Sequence, residues 1–263
     1  MNEMYLTRRD LFKIGWAAIV LSLSLPKNLL AKAEKIPVLM YHDISDQFKD
    51  EYTVSPPLFA AQMEWLYSNG YSALSFSEMG QFTQDNDKKK VIITFDDGYS
   101  SFMDYVFPLL QQYKFKAVLN IIGNYVGTYI TLGGNRPMLS WDEYRYVSKS
   151  GLVDLGCHTY NLHLYRHRGV LGVPDEVLRK DLLWFQETLK HEIGKTTEIL
   201  AWPYGLYSQK SIKIARGVGF KYILTSNEGY LDVRGDFHEI PRLNITDKLD
   251  LTSFRQYLQQ NQK

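Results

Sequence analysis

The alternation of short apolar runs with helical patterns is the feature of this sequence that most constrains its fold. The run 91–95 is short and rich in β-branched residues, which is typical of a buried strand. Between such runs, apolar residues recur at helical spacing, as Leu178, Leu182 and Phe185 do. No repeat, glycine-serine linker or low-complexity tract interrupts the alternation. The pattern therefore predicts a single α/β domain over residues 34–263, built on a mainly parallel sheet or barrel.

The predicted elements follow this alternation along the chain. Strands are predicted at 36–41, 72–75, 91–95, 117–122, 152–157, 199–202, 222–225 and 240–243. Helices are predicted after Pro56, from Ser77, over 102–113 with a kink at Pro108, from Ser140, over 175–189, over 211–217 and over 252–260. Ser140 followed by Glu143 is the signature of a capping box. A polar loop is predicted over 84–90.

Polar side chains follow the ends of four of these strands. They are His42, the pair Asp96-Asp97, His158 and Tyr204. Because active sites of barrels assemble at the carboxyl ends of parallel strands, we expect these side chains to lie close together. Solvated turns alone would not explain such residues after four separate strands. The sequence therefore predicts a functional site at this edge of the sheet.

Asp96 and Asp97 lie where a buried strand breaks into a turn at Gly98. Two adjacent carboxylates at such a position need a cation or hydrogen-bonding partners, because an unpaired buried charge is costly. Asp-Asp-Gly is also a common surface turn. From this segment alone, a surface turn and a catalytic or metal site are equally open.

His158 and His163 are five residues apart. On an α-helix five residues correspond to about 500°, which leaves the two side chains ~140° apart around the axis. The pair can therefore converge only on an irregular loop. Two histidines and one carboxylate form a plausible open site for zinc, cobalt, nickel or manganese, and they leave the second aspartate free as a base.

Charge and cysteine content argue against several classes of protein. The formal net charge is +1, divided into +3 on residues 1–33 and −2 on the remainder. A nucleic-acid-binding protein usually carries a strong excess of basic residues, and this sequence has no such excess over residues 34–263. Cys157 is the only cysteine in the sequence, which excludes a disulfide framework and a CxxC metal site. A buried free thiol is the predicted state of Cys157, and a nucleophilic Cys157 beside His158 is the alternative.

The N-terminus has the features of an export signal. Residues 7–13 resemble a twin-arginine motif, 14–25 form a moderately apolar run, and 31–33 provide a small-x-small cleavage site. The apolar run of 12 residues is short for a membrane span. We therefore predict a signal over 1–33 and an exported protein, located in the periplasm, at the cell surface or outside the cell. The alternative is an uncleaved anchor, which would associate the protein with a membrane.

Three motifs lie in order along the chain. They are Thr94-Phe95-Asp96-Asp97-Gly98, His158-Thr159 with His163, and Trp202-Pro203-Tyr204-Gly205. Together they resemble the polysaccharide deacetylases of carbohydrate esterase family 4 (NodB-like), and the resemblance covers about Ile36 to Asn244. It implies a distorted (β/α) barrel. It also implies a metal-dependent enzyme that removes acetyl groups from an N-acetylated polysaccharide.

The resemblance implies a role for each matching position. Asp96 would be the general base, and Asp97, His158 and His163 would hold one divalent metal ion, with zinc as the first expectation. The backbone N–H of Tyr204 would stabilise the oxyanion that forms on the acetyl group.

Two departures from the family pattern concern the groups around Asp96. Ala201 occupies a position where many members have an arginine that orients the base, and Arg242 is the predicted replacement. The late Leu-x-x-His motif that usually supplies the acid is absent. His42 is the predicted acid, with a structural histidine under the metal site as the alternative. His238 is predicted to be a surface residue.

The third motif, His42-Asp43 and the five-residue histidine spacing resemble one branch of the family. Members of this branch deacetylate poly-β-1,6-N-acetyl-D-glucosamine in the cell envelope and the biofilm matrix. Deacetylation of peptidoglycan or chitin-like β-1,4 chains is the alternative activity. The alternative that is not an enzyme is a glycan-binding module whose active site has lost its catalytic function. Tyr99, Tyr160 and Trp202 are candidates for stacking on a sugar ring.

Overall fold

A curled, mainly parallel sheet with helices packed against it is the framework of residues 35–263 in this computed structural model. The structure describes residues 35–81, 89–131, 134–164 and 168–260. The predicted export signal over 1–33 lies outside these residues. Within the described ranges, no helix is both long enough and apolar enough to cross a membrane.

The strands and helices alternate along the chain. The strands are β1 (Lys35–Tyr41), β2 (Asp43–Ile44), β3 (Thr53–Val54), β4 (Tyr71–Leu74), β5 (Lys89–Phe95), β6 (Ala117–Ile121), β7 (Tyr129–Thr131), β8 (Asn135–Pro137), β9 (Val153–Cys157), β10 (Ile199–Ala201), β11 (Tyr222–Leu224), β12 (Tyr230–Asp232) and β13 (Leu243–Asn244). The α-helices are α1 (Pro56–Ser68), α2 (Phe107–Tyr113), α3 (Trp141–Lys149), α4 (Asp175–Ile193), α5 (Gln209–Val218) and α6 (Leu251–Gln259).

The main sheet has the strand order β11-β10-β9-β6-β5-β1-β12. Every pairing along it is parallel except that of β12 with β1. Strands β4 and β13 add parallel pairings to β5 and β1. The short pairs β2–β3 and β7–β8 lie outside the main sheet. The prediction of an α/β domain with a mainly parallel sheet is confirmed.

The register of the central strands aligns their carboxyl ends. Phe95 at the end of β5 pairs with Tyr41 at the end of β1. Ile121 at the end of β6 pairs with Cys157 at the end of β9, and Cys157 pairs with Leu200 of β10. The residues that follow these strands therefore start from one edge of the sheet, where the sequence predicts the site.

The inner face of the sheet changes from apolar to polar toward this edge. Successive strand residues point to opposite faces. In β5, Ile93 and Phe95 pack in the cluster that includes the helices, whereas Ile92 belongs to a second apolar cluster. Thr94 and Asp96 continue on the same side as Ile92, and both contact one guanidinium group. The strand thus buries apolar side chains at its start and delivers a carboxylate at its end.

The helix predicted over 102–113 is divided in the structure. A π-helical segment, Phe102–Val106, precedes α2, and Pro108 lies in the first turn of α2. Proline lacks the N–H that an interior helix position needs, so it fits the first turn of a new helix. The predicted capping box of α3 is confirmed, since Ser140 and Glu143 each accept a hydrogen bond from the other's backbone N–H.

The strand predicted over 240–243 is wrong in extent. Of the predicted stretch, only Leu243 lies in a strand, as the first residue of β13 (Leu243–Asn244), which pairs with β1. Ile240 forms an isolated bridge with Leu224. Pro241 separates the two segments because it cannot donate to a strand ladder.

Other differences occur where elements are short. Lys89 and Lys90, predicted in a loop, begin β5, while residues 82–88 lie outside the described ranges. The helix predicted from Ser77 is the 3-10 helix Phe76–Gln81. Sequence periodicity missed β2, β3, β7, β8 and β12, because two or three residues are too few to show a period.

Candidate active site

A cavity of about 620 Å³ lies at the carboxyl edge of the main sheet. Its lining includes every residue that the sequence predicts for the site, namely His42, Asp96, Asp97, His158, His163, Tyr204 and Arg242. These residues follow β1, β5, β9 and β10 or directly precede β13. The fold therefore brings together side chains that are up to 200 positions apart in the sequence.

Asp97, His158 and His163 converge on one point, and all three are buried. Oδ1 of Asp97 lies 3.4 Å from Nε2 of His158 and 3.3 Å from Nε2 of His163. Donors held about 2.0–2.2 Å from a tetrahedral divalent ion lie roughly 3.3–3.6 Å apart. Oδ1 of Asp97 makes no hydrogen bond to any described residue. The separation and chemistry of these donors fit a divalent cation.

The other ring nitrogen of each histidine is held by a protein group. Nδ1 of His158 donates to the carbonyl oxygen of Ala201 at 2.9 Å. The hydroxyl of Tyr204 donates to the carbonyl oxygen of His163 at 2.7 Å and lies 3.2 Å from Nδ1 of that ring. Such contacts orient the rings and leave both Nε2 atoms for a metal. Burial lowers the pKa of His158 to about 4, so its ring is neutral and able to ligate near pH 7.

Unusual backbone conformations are concentrated at the site. Asp97, Thr159 and Tyr204 have positive φ angles of 76°, 66° and 57°, and they are three of the four such non-glycine residues in the described part of the chain. Such conformations cost about 1–3 kcal/mol each and cluster at functional sites. Gly98, at φ 96°, is required because a Cβ there would lie 2.0 Å from the hydroxyl of Tyr144.

Asp96 is held by a different set of partners. Both terminal nitrogens of Arg242 donate to its two carboxylate oxygens at 2.8 Å, and Nδ2 of Asn120 donates to Oδ1 at 2.8 Å. Burial alone would raise the pKa of Asp96, but the Arg242 guanidinium holds it well below its ordinary value. Asp96 is therefore a fixed, ionised carboxylate beside the three candidate metal ligands.

Asn120 is a site residue that the sequence reasoning missed. It is fully buried in β6, and its Oδ1 lies where a Cβ on Gly156 of the neighbouring strand would be only 2.0 Å away. The absence of a side chain at Gly156 thus makes room for the amide. Asn120 is the one polar residue in the apolar run 117–122, and this signal could have identified it.

His42 lies at the end of β1 and lines the cavity. Its Nδ1 is buried and has no hydrogen-bond partner among the described residues. Its ring centroid lies 5.1 Å from that of Tyr52. His238, by contrast, is outside the cavity lining and contacts Asp236 near the surface.

Arg136 anchors the loop that carries Tyr52. Its Nη1 donates to Asp43 and to the hydroxyl of Thr53, both at 2.9 Å, and its Nη2 forms an ion pair with Asp50. Arg136 and Asp43 are both buried. This network fixes one wall of the cavity beside His42. The sequence reasoning missed it because Arg136 lies in the short β8.

The three aromatic candidates for sugar stacking differ in exposure. Tyr99 and Trp202 line the cavity but are buried, and burial together with the nearby Asp97 carboxylate raises the pKa of Tyr99 well above its ordinary value. Tyr160 is partly buried and lies outside the cavity lining. Cys157 is a buried free thiol, as predicted, and burial raises its pKa well above the ordinary value.

Comparisons with known proteins show the family to which the chain belongs. The profile of the family described as polysaccharide deacetylase matches residues 83–223, more than half of the chain. A poly-beta-1,6-N-acetyl-D-glucosamine N-deacetylase of Staphylococcus aureus is 26% identical, over 86% of this chain and 79% of the relative. The protein of the same description from Escherichia coli is also 26% identical, over 84% of this chain but only 38% of the relative.

A solved structure supports the fold assignment. IcaB from Ammonifex degensii superimposes with a TM-score of 0.76 at 26% identity, over 87% of this chain and 98% of that one. The chain belongs to the polysaccharide deacetylase family. It is therefore a hydrolase of N-acetylated polysaccharide, and the expected single-domain (β/α) barrel of the deacetylase type is confirmed. The matched range 83–223 contains neither His42 nor Arg242.

Proposed function

We propose that this protein is a metal-dependent N-deacetylase of poly-β-1,6-N-acetyl-D-glucosamine. The observation that carries the proposal is that two adjacent carboxylates have different partners. Asp96 is held by Arg242 and Asn120, whereas Oδ1 of Asp97 faces two imidazole nitrogens. The names of the two relatives, at 26% identity, support the choice of polymer.

The proposal assigns a divalent cation to Asp97, His158 and His163. Catalytic zinc sites in proteins include ones with two histidines and one carboxylate as ligands and a further coordination position left open. Zinc is therefore the proposed ion. When bound, it would polarise the acetyl carbonyl and lower the pKa of water.

The protein groups divide the proton transfers. Asp96 accepts the proton of the water that attacks the acetyl carbon, and the backbone N–H of Tyr204 donates to the developing oxyanion. When the carbon–nitrogen bond breaks, His42 gives a proton to the leaving nitrogen. The products are acetate and a glucosamine unit with a free amine. Arg242 acts as a positioning residue for Asp96.

The proposal places the enzyme outside the cytoplasm, in the cell envelope or the biofilm matrix. Residues 1–33 would be the export signal, and residues 34–263 the deacetylase domain. The twin-arginine-like segment and the small-x-small sequence at 31–33 support this division.

Free-amine release from N-acetylglucosamine oligomers tests the reaction and the substrate together. We expect the β-1,6 oligomer to be deacetylated at least about tenfold faster than the β-1,4 oligomer. A chelator should lower the rate about 100-fold, and added zinc should restore it. Equal rates on both oligomers would contradict the choice of polymer. Binding of oligomers without amine release, in the presence of zinc, would identify a glycan-binding module instead.

Replacement of His42 tests the assignment of the acid. His42→Ala should lower kcat by about 100-fold or more, because the leaving nitrogen loses its proton donor. His238→Ala removes a histidine outside the cavity lining and should leave kcat unchanged. Steady-state kinetics with zinc at saturation would measure both. The opposite ranking would reassign the acid, and loss of bound zinc in His42→Ala would favour a structural role under the metal site.

A further inference from the structure

A buried carboxylate of α4 holds the loop between the two candidate histidine ligands. Oδ1 of Asp181 accepts the backbone N–H of Tyr160 at 2.8 Å, and Oδ2 accepts the backbone N–H of Asn161 at 2.8 Å. These N–H groups lie in the middle of the segment from His158 to His163, which we call the histidine loop. Asp181 is only 7% exposed. Both of its oxygens are thus committed to this loop.

A second side chain of α4 contacts the same loop. Trp184 follows Asp181 by three residues, so the two side chains lie on one face of the helix. The indole stacks on the ring of Tyr160 with centroids 4.3 Å apart and planes inclined by 12°. Trp184 is 57% exposed, which is unusual for so large an apolar side chain. The backbone and the ring of Tyr160 are therefore both held by α4.

The histidine loop needs such support. Thr159 has a φ of 66°, a conformation that a β-branched residue rarely adopts without constraint from its surroundings. Within the described residues, no lysine, arginine or histidine forms an ion pair with Asp181. Burial without a cation is unfavourable for a carboxylate, so its retention here requires a compensating contact. The two backbone N–H groups of the loop provide that contact.

We propose that Asp181 and Trp184 are positioning residues that set the separation of His158 and His163 for a divalent cation. The inference rests on the proposed metal site. Residues that orient metal ligands from behind commonly change metal affinity by about 10–100-fold when they are replaced. Here the support acts through the loop backbone between the ligands and not through the imidazole rings.

Zinc affinity of the purified protein tests the proposal. The dissociation constant would be measured by competition with a chromophoric chelator for wild type, Asp181→Asn, Trp184→Ala and Trp184→Phe. We expect Asp181→Asn to weaken zinc binding about 10–100-fold, and Trp184→Ala to weaken it about 3–10-fold. Trp184→Phe keeps a ring that can stack and should restore most of the affinity. Leu183→Ala, at an exposed neighbouring position of α4, is the matched control and should bind zinc as wild type does.

The cobalt-substituted protein gives a second readout. A change in ligand geometry should alter the visible absorption of bound cobalt in Asp181→Asn, whereas KM for the oligomer should stay near the wild-type value at saturating metal. Zinc dissociation constants within about threefold of wild type in both Asp181→Asn and Trp184→Ala would overturn the proposal. A lower melting temperature of the metal-free variants with unchanged affinity would do so as well, because it would indicate a purely structural role.

Failure of this inference can be told apart from failure of the proposed function. A wild-type protein that binds zinc but releases no amine would contradict the deacetylase assignment and leave the role of Asp181 intact. A wild-type protein that deacetylates, with variants that keep their zinc affinity, would overturn the role of Asp181 alone. Absence of zinc binding by the wild-type protein would contradict both.

Discussion

Asp96→Asn should abolish measurable deacetylation while the protein still binds its divalent ion. The amide keeps the shape of the carboxylate but cannot accept the proton of the attacking water. General-base catalysis contributes about 10²–10⁴-fold to a rate, so we expect kcat to fall by at least that range. The candidate metal ligands Asp97, His158 and His163 are unchanged in this variant. Amine release would measure kcat, and elemental analysis would measure bound zinc.

Asp97→Asn is the reciprocal experiment. Oδ1 of Asp97 faces both imidazole Nε2 atoms, so this variant should lose bound zinc together with activity. Asp104→Asn changes an exposed carboxylate just after the same turn and should keep both zinc and activity. If Asp96→Asn loses zinc and Asp97→Asn retains it, the two roles are reversed.

The position of the aspartate pair could be predicted because the local signals agree. A buried apolar strand precedes it, and Gly98 permits a turn that a Cβ would block. The same kind of signal precedes His158, so the edge of the sheet that holds both could be predicted from strand ends alone. These features depend on residues that are near in sequence, which is where periodicity and turn chemistry are informative.

The surroundings of the pair could be predicted only in part. Arg242 was predicted from the absence of an arginine at 201, yet it contacts Asp96 from 146 positions away beside the two-residue β13. No spacing rule encodes such a contact. Asn120 reaches Asp96 only because Gly156, on the adjacent strand, leaves space for its amide. These contacts depend on strand pairing, and a single sequence does not reveal which strands are neighbours.

Arg242→Met should destabilise the fold and inactivate the enzyme. The guanidinium makes two hydrogen bonds to Asp96 and one each to the Thr225 carbonyl and the Thr94 hydroxyl, and it is 1% exposed. Removing it leaves a buried carboxylate without its cation, which costs about 3–5 kcal/mol. Arg242→Lys keeps the charge but cannot form the paired contact, so it should lose less stability. Urea unfolding would measure the free energy of unfolding of each variant.

The pH dependence of the stability lost in Arg242→Met distinguishes a contribution from charge pairing from a contribution from packing. Arg242 holds the folded-state pKa of Asp96 below its unfolded value, so the stabilisation is complete above about pH 4 and is lost as pH falls through the folded pKa. In Arg242→Met, burial instead raises the pKa of Asp96. Protonation of Asp96 as pH falls then removes the free-energy cost of burying its charge without a cation. The stability gap between wild type and Arg242→Met should therefore be largest near pH 7 and should narrow toward pH 4.

A second change at Asp96 completes this test. Arg242→Met combined with Asp96→Asn removes both charges of this pair, so at pH 7 it should be more stable than Arg242→Met alone, and its stability gap to wild type should vary less with pH. A double variant as unstable as Arg242→Met at every pH would show that the arginine contributes packing alone. In that case Arg242 would not be the group that keeps Asp96 ionised and oriented, and the orienting role of the missing arginine at 201 would have to be assigned elsewhere.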